Sequence, residues 1–292
     1  MNSIALAQKY APLLDEVFKK ASVTTDLEAQ QVQFDGVNTV KIMKITVPSL
    51  GAYDRNSGFT NGDVTVDWED WKLTQDRGRA FSVDAVDNEE TLDMTFGAAS
   101  REFIRTKVAP QIDAYRFAKL ASTDGISKAT AAALATGDAV LKALTAGMTK
   151  MDEDEVPEEG RILYITPTLK RLVDELDSYK SKKVWEQFAK IVTVPKNRFY
   201  TKSQYNSTSQ EIEKASGAQD INFMIVVPSA QQSTAKHTKL RIFLADGDEG
   251  TGANKNQTKD AHEFHYRIVH DVNVFENKRA GIYLHAAPAA SN

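Results

Sequence analysis

Three of the five histidines, His262, His265 and His270, fall close together, with His285 a short way behind, and imidazoles in that number could hold a metal ion. Apolar residues alternate around them, at Phe264, Tyr266 and Ile268, and so predict a strand. On a strand His262 and His270 share a face but stand ~27 Å apart, while His265 points to the other face. No metal site is expected. Asp246 and Asp248 open a loop with the first two ligands of a calcium site, yet Gly250 and Thr251 follow, and Gln257 stands where a bidentate glutamate is required. Gly247 and Gly252 have phosphate-loop spacing, but Ala253 and Asn254 replace the Gly-Lys geometry. The strand-to-helix turn at Thr166 and Pro167 lacks the glycines that let a backbone approach a nucleotide. There is no cysteine nucleophile and no G-x-S-x-G elbow, and the carboxylates from Asp152 to Glu155 read as a solvated acidic edge. The sequons at Asn206 and Asn256 require secretion, for which the N-terminal residues carry no signal. No catalytic residue, cofactor or metal is therefore expected, and the chain reads as a non-enzyme.

Composition narrows the classes further. Hydrophobic residues make up 41% and charged residues 26% of 292, which suits a folded chain, and no apolar run approaches the ~20 residues that cross a bilayer. With no cysteine, stability must come from packing or from partners. A net charge of -4 with mixed signs gives no basic footprint for direct nucleic-acid binding.

The elements form an unusual series. Residues 3–20 carry Leu6, Tyr10, Leu13, Leu14, Val17 and Phe18 at helical spacing, limited by Pro12. From Leu27 to Asn38 the chain is polar and aperiodic, an extended connection that needs something to lie on. Residues 39–50 and 63–74 alternate, and in each the apolar phase slips once, between Ile42 and Met43 and between Trp68 and Trp71, which predicts a long hairpin with bulges. Its tip, GAYDRNSGFTNG, is long and polar, with bends at Gly51, Gly58 and Gly62. A two-stranded ribbon is marginal alone, so it must pack on its own subunit or on a neighbour, with Phe59, Trp68 and Trp71 as the expected contacts.

A third strand-like stretch, RAFSVDAV, leads to the strongest helix signal: Asp87 as N-cap, Glu90 three residues on, then Leu92, Phe96, Ala99, Phe103, Ile112 and Tyr115 along one stripe to about Leu120. At ~30 residues this is a spine of ~45 Å, with a kink expected at Pro110. The middle of the chain then changes character. A helix with Val140, Leu144, Met148 and Met151, the strand RILYIT, a helix opened by Thr166-Pro167, and strands at NFMIVV and KLRIFLA predict a separate α/β lobe. The chain closes on a ribbon in which Phe264, Tyr266, Ile268, Val272 and Val274 keep one phase, turned by ENKRAG into IYLHA.

This order, together with the segments TVKIMKITVPSLGAYDRNSGF, WKLTQDRGRAFSVDAVDNEET, EFIRTKVAPQIDAYRFAKLA and HDVNVFENKRAGIYLH, resembles the major capsid proteins of tailed bacteriophages, the Hong Kong ninety-seven type, as found in phages and prophages of Gram-positive bacteria. The resemblance implies an α+β fold in five parts. Residues 1–35 would be an N-terminal arm, 36–80 an extended β-hairpin loop, 81–122 a peripheral domain with the spine helix, 123–260 an α/β axial domain, and 261–292 strands returning to the peripheral domain. It also implies self-assembly as hexamers and pentamers into an icosahedral head around double-stranded DNA, with portal and scaffolding proteins as partners, no sequence-specific DNA binding and no membrane. The place of work would be the virion, after assembly in a bacterial cytoplasm. Some relatives cross-link a loop lysine to a neighbour's asparagine; Lys72 with Asn273 or Asn277 has no motif that carries this reaction over. Many begin with a scaffolding segment, whereas this chain passes from a short arm almost directly into the loop, so either that segment is absent or a separate scaffolding protein does its work. Encapsulin shells share the architecture and enclose enzymes; the quoted segments favour the phage group.

Overall fold

The computed structural model of the chain describes residues 21–28, 33–36, 38–56, 58–59, 61–84, 100–243 and 261–289. The predicted arm helix, the capped first half of the spine with Asp87 and Glu90, and the loop from Asp246 to Gln257 lie outside the described residues.

Three sheets carry most of the architecture. The first is the ribbon: β2 (Thr39–Thr46) pairs antiparallel with β3 (Thr65–Lys72), and the short β1 (Phe34–Asp35) flanks β2. In the second, β12 (Ala261–Val274) runs between β11 (Gln231–Phe243) and β4 (Gln75–Asp84). Its inward face, Phe264, Tyr266 and Ile268, packs on Ile104, Val108 and Ile112 of the spine, with Phe81 and Phe103 at the margin. The third sheet has the order β5 (Ser127–Lys128), β13 (Ile282–Ala286), β10 (Ile221–Val226), β6 (Ile162–Ile165), β7 (Lys190–Thr193). A hairpin, β8 (Ser203–Asn206) with β9 (Glu211–Lys214), projects beside the spine.

The spine is helical from Ser100 to Ser122 among the described residues. At Pro110, where a kink is expected, the backbone widens to a π-turn over Ile104–Val108 before α1 (Ala109–Ser122) resumes regular geometry. Proline has no N–H, and its ring meets the carbonyl four residues back in an α-helix, so a wider turn just before it relieves both conflicts.

The third sheet is covered by α2 (Gly137–Glu153), α3 (Pro167–Asp174) and α4 (Tyr179–Glu186). Thr136 caps α2 by accepting the Ala139 N–H, and Ser178 and Ser181 form a reciprocal cap on α4. Pro167 opens α3 as predicted, although the Thr166 hydroxyl makes no cap bond. Gly147 sits where a Cβ would come within 2.7 Å of the Tyr283 ring, so α2 approaches β13 more closely than any side chain allows.

Three expectations are corrected. The ribbon has no bulge: its register runs unbroken from Thr39 opposite Lys72 to Thr46 opposite Thr65. The first five residues of KLRIFLA, expected in the α/β lobe, end β11, which pairs with β12. IYLHA, expected to return with β12 to the spine's lobe, is β13, hydrogen-bonded between β10 and β5. All five of its residues are buried, which suits an interior strand covered on both faces, and the 3-10 turn Glu276–Gly281 carries the chain across.

Candidate functional site

In an antiparallel pair with unbroken register, directly opposed residues share a face. One face of the ribbon therefore carries Val40, Ile42 and Trp71 near the base and Lys44, Thr46 and Asp67 farther out. The opposite face carries Lys41, Asp70 and Lys72 near the base and Met43, Ile45, Val66 and Trp68 farther out. The phase slip seen in the sequence is thus an exchange of apolar faces halfway along the ribbon, with no insertion.

The two halves have different fates. Near the base, Val40 and Leu73 bury with Val269 of β12, and Trp71 and Ile42 pack against them, so Trp71 is used inside its own subunit. Farther out, Met43, Ile45, Val66 and Trp68 are each between 51% and 55% exposed. At the tip the predicted bend forms at Gly58, whose φ is +80°, across a two-way backbone pairing with Asp54, and Phe59 is 86% exposed against Tyr53. Met43, Ile45, Val66 and Trp68 thus gather exposed apolar surface on one face of the ribbon.

Polar pins hold the ribbon's root. The buried Asp271 carboxylate accepts the Thr74 backbone N–H at 2.9 Å, the Thr74 hydroxyl at 2.8 Å and the Tyr115 hydroxyl at 2.9 Å, tying the end of β3 to β12 and the spine. Burial pushes the Tyr115 phenol up to about 12. A second pin fixes the segment that precedes the ribbon. Asp113, with no solvent exposure, accepts the hydroxyls of Ser22 and Thr24 at 2.7 Å each, the backbone N–H groups of Val23 and Thr24, and Arg198 at 3.1 Å. Arg116, equally buried, donates to the Thr24 hydroxyl at 2.8 Å and to Glu28 at 2.7 Å. Gln231 donates to the Leu27 carbonyl at 2.7 Å, and Lys190 reaches Asp26 at 2.7 Å. The polar segment thus lies on the spine, on β11 and on the α/β lobe together. Sequence reasoning missed Asp113, Arg116 and Asp271. A signal existed in the helix, where the charged Asp113 and Arg116 interrupt a run of apolar and aromatic residues from Ile112 to Ala118.

The residues first weighed for chemistry are dispersed. His262, His265 and His270 lie along β12, opposite Val83, Ala80 and Gln75 of β4, while His285 is on β13 in the other sheet. Burial lowers the His285 imidazole, which stacks on Phe223 at 5.0 Å between ring centres. Asp154 pairs with Lys150, and Asp152 with Arg161. Lys72 ends β3, Asn273 faces Gln232 near the end of β12, and Asn277 is in the following 3-10 turn. Among the described residues no group of three metal-ligating side chains gathers, and no helix is long and apolar enough to cross a membrane.

A scan against protein-family models finds no match to this chain, and a search of curated proteins finds none. Solved structures do match. A virus-like particle subunit from Pyrococcus furiosus is similar at 12% identity, covering 95% of this chain and 98% of that one, with a TM-score of 0.57. The capsid of Myoviridae phage XM1 matches at 10% identity over 92% of both chains, TM-score 0.53. The capsid of cyanophage P-SCSP1u matches at 14% identity over 92% and 89%, TM-score 0.52. The fold is the Hong Kong ninety-seven type.

Proposed function

We propose that this chain is a major capsid protein, a structural subunit that assembles as hexamers and pentamers into an icosahedral head around double-stranded DNA. The observation that carries the reading is the face exchange in the ribbon: its base is satisfied within the subunit, while its outer half turns an apolar strip the other way, toward a body the single chain does not supply. Phe59 and Trp68 are inter-subunit contacts on this reading, and Trp71 anchors the ribbon from below. Residues 1–35 act as an arm, 36–80 as the extended loop, and 81–122 with β11 and β12 as the peripheral domain. The rest of 123–260, joined by β13, forms the axial domain. The role is mechanical and non-enzymatic. Portal and scaffolding proteins are its partners, DNA is held without sequence recognition, and the protein works in the virion after assembly in the bacterial cytoplasm.

Electron microscopy of the full chain, expressed alone and with its neighbouring genes, tests this. Closed shells or capsomer rings are expected; a small monomer under both conditions would overturn it. The match to the Pyrococcus furiosus particle over nearly the full length of both chains favours one second reading, a shell of the encapsulin kind that encloses protein. The ultraviolet absorbance of purified shells distinguishes nucleic-acid cargo from protein cargo.

A further inference from the structure

A groove of about 720 Å³ lies between β4 and β12, the spine and the β8–β9 hairpin. Its charge comes from an uncommon place. Arg77 stands opposite Ile268 and Arg79 opposite Tyr266, so both guanidinium groups share the face on which Ile268 and Tyr266 pack against the spine. Arginine on such a face normally has an acid beside it. Here the acids are turned elsewhere. Asp76 alternates to the other face, opposite Val269, where it pairs with Arg267, and Glu211 on the hairpin is held by Lys107 at 2.8 Å. Among the described residues neither guanidinium bonds a carboxylate. Arg77 donates twice to the Gln75 amide oxygen at 3.2 Å and lies 4.5 Å over the Tyr205 ring, and Arg79 donates to the Gln210 amide oxygen at 2.6 Å. Burial lowers the Arg77 pKa, as expected of a cation drawn from water. With Lys107 balanced by Glu211, the two arginines leave the groove positive in a chain whose net charge is -4.

We propose that this groove is a binding site for a small phosphoryl anion, orthophosphate or pyrophosphate, held by Arg77 and Arg79 with the Ser209 hydroxyl beside them. The planar fork of a guanidinium matches two oxygens of such an anion, and a phosphoryl group has oxygens enough for two forks and a hydroxyl at once, whereas a carboxylate has only two. A nucleic-acid strand is the poorer occupant, because affinity for a strand grows with the number of phosphates neutralised and one arginine pair neutralises few. The ion would brace the β8–β9 hairpin against β4, since Tyr205 and Gln210 of that hairpin already meet Arg77 and Arg79. Every residue involved belongs to one chain, so the proposal goes beyond the capsid reading and does not depend on it.

Calorimetric titration of the full-length, unassembled chain with sodium phosphate and with sodium pyrophosphate, at an ionic strength held constant with chloride, tests the site. Saturable binding is expected, with Arg77→Gln and Arg79→Gln each weakening it about tenfold. At saturation the ion should raise the melting midpoint by about 2 °C or more, and the double variant should lose that rise. Melting without the ion checks that the variants fold; should Arg77→Gln melt early, Arg79→Gln, which replaces an exposed side chain, carries the comparison. Acetate should neither bind nor compete. The proposal is overturned if neither phosphoryl ion binds, if the arginine variants bind as the parent does, or if acetate binds equally well. A short single-stranded oligonucleotide that binds through the same arginines where the inorganic ions do not would assign the groove to nucleic acid and overturn it too.

Discussion

The segment 22–28 and the outer half of the ribbon are both extended, and both look underprovided with core in the sequence. Their fates are opposite. The segment turns polar groups inward, where Asp113, Arg116 and Gln231 bond Ser22, Val23, Thr24, Leu27 and Glu28, and Arg198 braces Asp113. The ribbon, from Met43 to Trp68, leaves its apolar side chains half in water on the face turned away from its own subunit. One region is therefore finished within a single chain, whereas the other, on the proposed capsid reading, is finished by assembly. Stability and association should accordingly respond to different residues.

The sharpest break of that division is at Asp113. Replacing it with alanine leaves Arg198 without its carboxylate and strips bonds from Ser22, Val23 and Thr24 around a fully buried position. A loss of about 3–5 kcal/mol is expected, because removing one partner of a buried pair strands the other charge. Chemical denaturation of the unassembled chain reads this directly, and a loss under ~1 kcal/mol would show that the clasp contributes little to the fold. The ribbon should behave the other way. Met43→Ser with Trp68→Ser removes apolar surface already half solvated, so the unassembled chain should change by no more than about 0.5 kcal/mol. Shell formation should fail in the same sample, by light scattering and microscopy. Equal losses of stability and assembly would mean that the strip packs inside the subunit after all.

Much of this was legible in the sequence wherever local pattern and final environment agree. Val40, Ile42 and the buried run of β6 announced strands, Pro167 announced a helix start, and the alternation around Phe264 announced β12. The phase slip in the ribbon was also visible, but it had two meanings. A bulge keeps one apolar face by adding a residue; an exchange of faces keeps the register and changes what each half must touch. Only the pairing of Thr39 with Lys72 through Thr46 with Thr65 decides between them. β13 was misplaced because a short apolar strand does not specify its sheet; its neighbours β10 and β5 come from distant sequence. The polar clasp was hidden for the same reason, since Ser22 and Asp113 stand 91 residues apart and neither has a periodicity that points to the other.

The smallest expected effect lies at the boundary between the two regions. Tyr115 reaches from the spine to Asp271, which also holds Thr74 at the ribbon's root, and burial keeps its phenol protonated up to about 12. A phenol whose folded-state pKa lies above its ordinary 10.0 contributes stability that is fully present below pH 10 and drains away as the pH climbs from there toward 12, because the unfolded chain then releases a proton that the folded chain retains. Tyr115→Phe keeps the ring against His270 and removes only the hydroxyl. At neutral pH it should cost about 1 kcal/mol, the net worth of one hydrogen bond, since Thr74 still satisfies Asp271 from both its hydroxyl and its backbone. Above pH 10 the variant should lose stability less steeply than the parent, and the two denaturation midpoints should converge. If the slopes stay parallel, Tyr115 titrates as it would in water and the root of the ribbon is open to solvent. The pin would then belong with the unfinished half of the molecule, and the boundary between the two regions would move inward to Val40 and Val269.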